Sequence, residues 1–209
     1  MKVIMPYHEI MDELDGAAIL RKIERCGRVC YKSESKTTRS SYKDFVKMII
    51  KRGHESVLEH FSFTVRFVCD RGVSHELVRH RLCSFSQEST RYCNYSKDGF
   101  GNEITVIRPW WASKVQREEY YKWEDSMVAC EQSYFKALET LPPQDARANL
   151  PTSLKTEIIV TANLREWKHI LILRTSPQAH PEMRRLMLPL LKELKQKIPV
   201  VFDDVSITD

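Results

Sequence analysis

The chain has 209 residues, of which 42% are apolar and 29% charged, with a formal net charge of +5. That length suits one well-buried core and is short for two. No stretch approaches the roughly 20 apolar residues of a membrane span, no secretory apolar region follows Met1-Lys2-Val3-Ile4-Met5-Pro6, and the six cysteines form no C-x-x-C pair. These features argue against a membrane-spanning helix and a disulfide framework, and lead us to expect a cytoplasmic chain with reduced thiols.

In chain order, Met11 to Tyr31 is predicted as a helix, with Leu14, Ala17, Ala18, Ile23, Cys26 and Cys30 as a broken apolar stripe. A polar loop over residues 32–39 follows. Ser40 or Ser41 caps a second helix bearing Phe45, Val46, Met48 and Ile49, with Gly53 just past its end. Phe61, Phe63, Val65, Phe67 and Cys69 alternate with Ser62, Thr64, Arg66 and Val68, the pattern of a strand with one buried face. Gly72 turns the chain, and Ser74 is expected to cap a short helix that delivers Arg79.

Beyond a turn-rich loop over 97–102, Ile104 to Ile107 reads as a short strand, and Trp111 to Leu141 as one long helix ended by Pro142-Pro143. A brief helix around Ala146 stops at Pro151, and Glu157 to Ala162 is a strand candidate. Asn163 and Glu166 have the spacing of a capping box opening a helix through Leu173. Pro181 starts the last helix, with Pro189 as a candidate kink. Helices and strands interleave without regular βαβ spacing, so the expected class is α+β, with a mixed sheet core and long flanking helices in a single domain over 1–209.

The chemistry concentrates in Arg79-His80-Arg81-Leu82-Cys83-Ser84-Phe85-Ser86-Gln87-Glu88-Ser89-Thr90-Arg91. Guanidiniums flanking an imidazole are poor core material, and their forked donors suit phosphate and carboxylate oxygens. The chain has only six glycines, with neither G-x-G-x-x-G nor G-x-x-x-x-G-K, so a bound nucleotide must be held by side chains and helix N-termini. His75-Glu76-Leu77-Val78-Arg79-His80 misses the zincin spacing by one residue and puts a cation where a ligand belongs, so no metal is expected. Cys83, Cys93 and Ser89 rank low as nucleophiles, because the spacing shows neither a base nor an oxyanion hole. Three classes are weighed: an enzyme for anionic substrates, a basic nucleic-acid-binding module stacking bases on Phe85 and Tyr92, and a metal-dependent hydrolase using the histidines from 54 to 80, against which the missing ligand spacing counts.

Arg79-His80-Arg81, seven residues, then Ser89 form the pattern R-H-R-x7-S, which closely resembles the hallmark of the flavin-dependent thymidylate synthases. Gly53 to His60, Ala146-Arg147 to Pro151, and Asn163 to Arg174 resemble further segments of that family in the same order. The resemblance implies methylation of dUMP to dTMP, with 5,10-methylenetetrahydrofolate as carbon donor and NADPH as reductant through bound FAD. It also implies a homotetramer with active sites between subunits, and no membrane or nucleic-acid partner.

Carried over by position, the resemblance implies that Ser56, Arg79, His80, Arg81, Gln87, Asn163, Leu164, Arg165 and His169 hold FAD. Glu76, Leu77, Val78, Arg79, Gln87, Glu88, Ser89, Thr90, Arg91, Arg147 and Arg174 would hold dUMP, with Arg174 also activating the uracil ring. His54 and Glu59 are candidates for the flavin or folate side. Glu76 stands where many members carry glutamine, and Thr90 where glycine or glutamine is frequent. The cysteine nucleophile of the other thymidylate synthase class has no counterpart, since no cysteine follows a proline.

Overall fold

The alternation around Phe63 becomes strand β3 (Ser62–Asp70), whose Phe63, Val65, Phe67 and Cys69 are all buried. It belongs to a four-stranded sheet of order β2-β3-β6-β4, formed with β2 (Tyr7–Ile10), β4 (Ser84–Gln87) and β6 (Lys155–Asn163). The computed structural model describes residues 1–207, and these fall into two compact units, each assembled from three stretches of chain. The first comprises Met1–Tyr7, Phe67–Arg79 and Phe85–Ile159; the second comprises His8–Arg66, His80–Ser84 and the chain from Val160 onward.

In the first unit, β1 (Lys2–Ile4) pairs in parallel with β5 (Thr105–Ile107), Lys2 opposite Thr105. The core joins Tyr95, Ile104, Val106, Met127, Tyr134, Ala146 and Leu154. It packs α4 (Arg117–Leu138) and the short α5 (Pro143–Ala146) beside these strands. The single helix expected from Trp111 to Leu141 is broken: a 3₁₀ turn over Trp110–Ser113 precedes α4, and Gln116 sits in extended backbone before Glu118 and Glu119. Two acids in a first turn favour a fresh start there through the helix dipole. Helix α3 (Arg71–Leu77) is capped not by Ser74, which lies inside it, but by Asp70, whose Oδ1 accepts from Val73 N at 2.7 Å.

The second unit packs α1 (Gly16–Tyr31) against α2 (Tyr42–Lys51), and α6 (Leu164–Thr175) against α7 (Pro181–Lys197). The helix expected from Met11 starts only at Gly16, because Asp15 caps it by accepting from Ala18 N at 3.0 Å. Residues 7–10, with too few alternations to signal a strand, form β2. Ser41 makes no cap bond to α2; its hydroxyl and backbone exchange hydrogen bonds with Thr38 instead. Gly53, at φ +70°, ends that segment in the left-handed region that glycine tolerates best. A Cβ at Gly27 would stand 2.6 Å from Phe45 Cε1, so glycine is what lets α1 and α2 approach. Trp167 of α6, fully buried, stacks on Phe63 at 5.1 Å and donates from Nε1 to Phe63 O at 3.1 Å.

Candidate active site

In the second unit, Asn163 ends β6 and caps α6, its Oδ1 accepting from Glu166 N at 2.9 Å. The N-cap half of the expected capping box is therefore present. The Glu166 carboxylate turns elsewhere: Oε1 lies 3.6 Å from His80 Nδ1, and both residues are more than nine-tenths buried. On the other edge of that imidazole, Arg174 Nε donates to His80 Nε2 at 3.0 Å. The His169 ring meets the His80 ring edge-on at 6.0 Å. Burial, reinforced by the Arg174 and His169 charges, lowers the His80 pKa to about 4, so the ring is neutral near pH 7.

A cavity of about 610 Å³ opens here, lined by Glu55, Glu59, Leu82, Asn163, Arg165, Glu166, Lys168, His169 and Ile172. Its cations are balanced. Arg165 Nη1 donates to Glu59 at 2.6 Å, and Lys168 Nζ bridges Glu55 at 2.5 Å and Asp204 at 2.8 Å. Ser56 is exposed on the 3₁₀ turn Glu55–His60, and Tyr31 Oη lies 2.5 Å from His54 Nδ1. Leu164 is buried and its N–H donates to Phe61 O. Arg81 is exposed in the turn after His80. Burial, aided by the Glu166 charge, pushes the Cys83 thiol up to about 12, against a thiolate role.

The first unit holds a smaller cavity of about 160 Å³, lined by Arg71, His75, Thr90, Arg147, Leu150, Pro151 and Thr152. No acid lines it. Arg147 Nη1 approaches Thr90 Oγ1 at 3.4 Å, and Arg71 Nη1 is buried without a hydrogen-bond partner among the described residues. Ser89 and Arg91 form the turn beside Thr90, with Arg91 N donating to Ser89 Oγ at 3.3 Å. Gln87 ends β4, its Nε2 donating to Ser74 Oγ at 2.9 Å and Thr156 Oγ1 at 3.2 Å. Glu88 is held by Tyr95 Oη and Lys155 Nζ, both at 2.8 Å. Glu76 is half-buried on α3, Leu77 is buried, and Val78 and Arg79 are exposed just past its end.

The residues read from the sequence thus gather into two clusters. His80, Asn163, Arg165, His169 and Arg174 belong to the second unit; Glu76, Gln87, Ser89, Thr90, Arg91 and Arg147 belong to the first. Sequence reasoning missed Arg71, Glu55, Lys168 and the orientation of Glu166. Arg71 had one usable signal, an arginine directly after an N-cap aspartate. The ion pairs of Lys168 span more than 30 residues on one side and more than 100 on the other, and have no local signature. Strand β4 was missed because Ser84 to Gln87 holds a single aromatic residue.

Fold and site define a glycine-poor α+β protein with guanidinium groups in a cavity lining and no glycine phosphate loop. Residues 15–200 match the family model of the thymidylate synthase complementing proteins, Thy1. A flavin-dependent thymidylate synthase of Geobacter sulfurreducens is 37% identical over 187 residues, covering 86% of this chain and 78% of its own. One from Mycolicibacterium gilvum is 34% identical over 97% of this chain and 85% of its own. The crystal structure of the UMP/dUMP methylase PolB from Streptomyces cacaoi, bound with 5-Br dUMP, superimposes with a TM-score of 0.78. That match covers 97% of this chain and 96% of that one at 21% identity, so it speaks to the fold. The chain belongs to the Thy1 family, the flavin-dependent thymidylate synthases.

Proposed function

We propose that the chain catalyses the reductive methylation of dUMP to dTMP, taking its carbon from 5,10-methylenetetrahydrofolate and its reducing equivalents from NADPH by way of FAD. The observation that carries this reading is the acid-free cavity of the first unit. A buried guanidinium nitrogen without a partner costs free energy, and a 5′-phosphate dianion supplies what Arg71, Arg147 and Thr90 lack. Ser89 and Arg91, in the adjacent turn, add donors to the same phosphate. Glu76, Leu77, Val78, Arg79, Gln87 and Glu88 complete the dUMP side.

The second unit's cavity fits a flavin nucleotide in its chemistry. It combines the imidazole of His169, the guanidinium of Arg165 and the N-terminus of α6, a combination suited to a heteroaromatic ring and its phosphates. Ser56, Arg79, His80, Arg81, Gln87, Asn163 and Leu164 complete this set. Bound FAD supplies two-electron chemistry, which replaces the cysteine nucleophile of the other thymidylate synthase class. Arg174 then stands against uracil N3 and O2, where its fixed charge stabilises negative charge as C5 becomes nucleophilic. His80 keeps that guanidinium in place. Cys83 takes no part.

We further propose a single catalytic domain that works in the cytoplasm as a homotetramer with active sites shared between subunits. Leu82 and Ile172 line the second cavity and are 78% and 49% exposed, apolar surface of the kind that assembly covers. Among the described residues, no helix is long and apolar enough to cross a membrane.

The test is direct. Purified chain incubated with FAD, NADPH, 5,10-methylenetetrahydrofolate and dUMP should form dTMP, measured by chromatography, and should not methylate deoxyuridine at comparable concentration. A colourless protein that forms no dTMP and binds single-stranded nucleic acid in a salt-dependent way would replace this proposal with the nucleic-acid module.

A further inference from the structure

Arg174 is given the charge-stabilising role, yet it does not hold itself. Its Nε donates to His80 Nε2 at 3.0 Å, and a neutral imidazole accepts at Nε2 only when its proton sits on Nδ1. Which nitrogen carries the proton is set by what the other nitrogen faces. Here Nδ1 faces Glu166 Oε1 at 3.6 Å, inside the molecule.

We propose that Glu166 is a positioning residue for Arg174, acting through His80: its carboxylate keeps the imidazole proton on Nδ1, so that the Nε2 lone pair stays turned to the Arg174 guanidinium. The assignment rests on the proposed role of Arg174 in dUMP methylation.

Two further features support it. Glu166 is held at its backbone, its N–H donating to Asn163 Oδ1 at 2.9 Å, and its side chain is buried. Its charge is also felt on a second neighbour, since it contributes, after burial, to raising the Cys83 thiol. The charged and titratable groups around the His80 ring are Glu166, Arg174 and His169. Two of these, Arg174 and His169, oppose its protonation. A neutral ring with a directed lone pair results, and Glu166, 3.6 Å from Nδ1, is the carboxylate that sets its direction. Carboxylate–histidine pairs orient metal-bound imidazoles by the same device.

The experiment uses the full chain with histidine-selective ¹⁵N labelling, read without cofactors, and steady-state kinetics with them. Wild type should show His80 protonated on Nδ1 and bare on Nε2. Glu166→Ala should lose that preference and lower kcat for dTMP roughly 10- to 100-fold. Glu166→Gln, whose amide oxygen keeps an acceptor facing Nδ1–H, should restore both tautomer and kcat. A wild-type ring protonated on Nε2 overturns the proposal, even if Glu166→Ala fails to fold. So does a Glu166→Ala variant with unchanged tautomer and kcat, or a Glu166→Gln variant as impaired as Glu166→Ala. Should wild type form no dTMP, the functional reading fails, and the cofactor-free tautomer measurement still decides whether Glu166 directs His80.

Discussion

The two cavities solve the problem of charge in opposite ways. At the second unit's cavity the cations have protein partners: Arg165 has Glu59, Lys168 has Glu55 and Asp204, and Arg174 beside it has the neutral His80. In the first unit the cavity around Arg71, Arg147 and Thr90 has no acid in its lining, and one guanidinium nitrogen is buried without a partner among the described residues. A compensated set of charges is stable alone and can be built to high positional precision. An uncompensated set is strained alone and becomes comfortable only with an anion. The contrast matches the proposed roles, positioning in one region and capture of a phosphate in the other.

The strongest way to break that contrast is Arg174→Ala. We expect dTMP formation to fall roughly 10²- to 10³-fold, the scale of losing one preorganised donor to a developing charge, while flavin absorbance after gel filtration is retained. Turnover at the wild-type rate would remove Arg174 from the chemistry. Next in size is Arg71→Met. By calorimetry its dUMP affinity should drop roughly 10- to 100-fold, as expected for a lost hydrogen bond between charged groups. Its melting temperature should nevertheless hold or rise, because an uncompensated guanidinium has been deleted. A melting temperature that falls together with affinity would mean that Arg71 is structural.

Lys168→Met tests the compensated side. It leaves Glu55 and Asp204 without their cation, and chemical denaturation should show a loss of about 1–3 kcal/mol, with dUMP affinity in the first unit's cavity unchanged. The smallest effect concerns pH. His80 resists protonation down to about 4, whereas its unfolded counterpart takes up a proton near 6.5. Its contribution to stability is therefore full above about pH 6.5 and is lost as pH falls toward 4. A wild-type melting curve should decline across that window, and His80→Gln should decline less steeply. Equal slopes would contradict the neutral buried imidazole.

Much of the fold was legible where apolar spacing was long and regular. The Phe63 to Cys69 alternation, the second helix up to Gly53, the strand ending at Asn163 and the Pro181 helix all form where their patterns place them. Errors came where a polar side chain chose between local partners. Asp15 rather than the apolar stripe starts α1, and Asp70 rather than Ser74 caps α3. Glu166, at the right spacing for a capping box, faces His80 instead. Short strands such as β1, β2 and β4 left no readable period.

The sequence by itself named the candidate groups for chemistry, because the arginine-rich segment, the scarcity of glycine and the R-H-R-x7-S spacing are properties of residue identity and order. Tertiary structure alone decided what each group faces. Arg71 enters the first unit's cavity, Lys168 is neutralised by residues on both sides of it in sequence, and Glu166 reaches Arg174 through an imidazole 86 residues earlier in the chain. The physical reason is one of range. Propensity and capping act within a few residues, whereas burial fixes the partner, the tautomer and the pKa of a charged group through whatever the fold brings beside it.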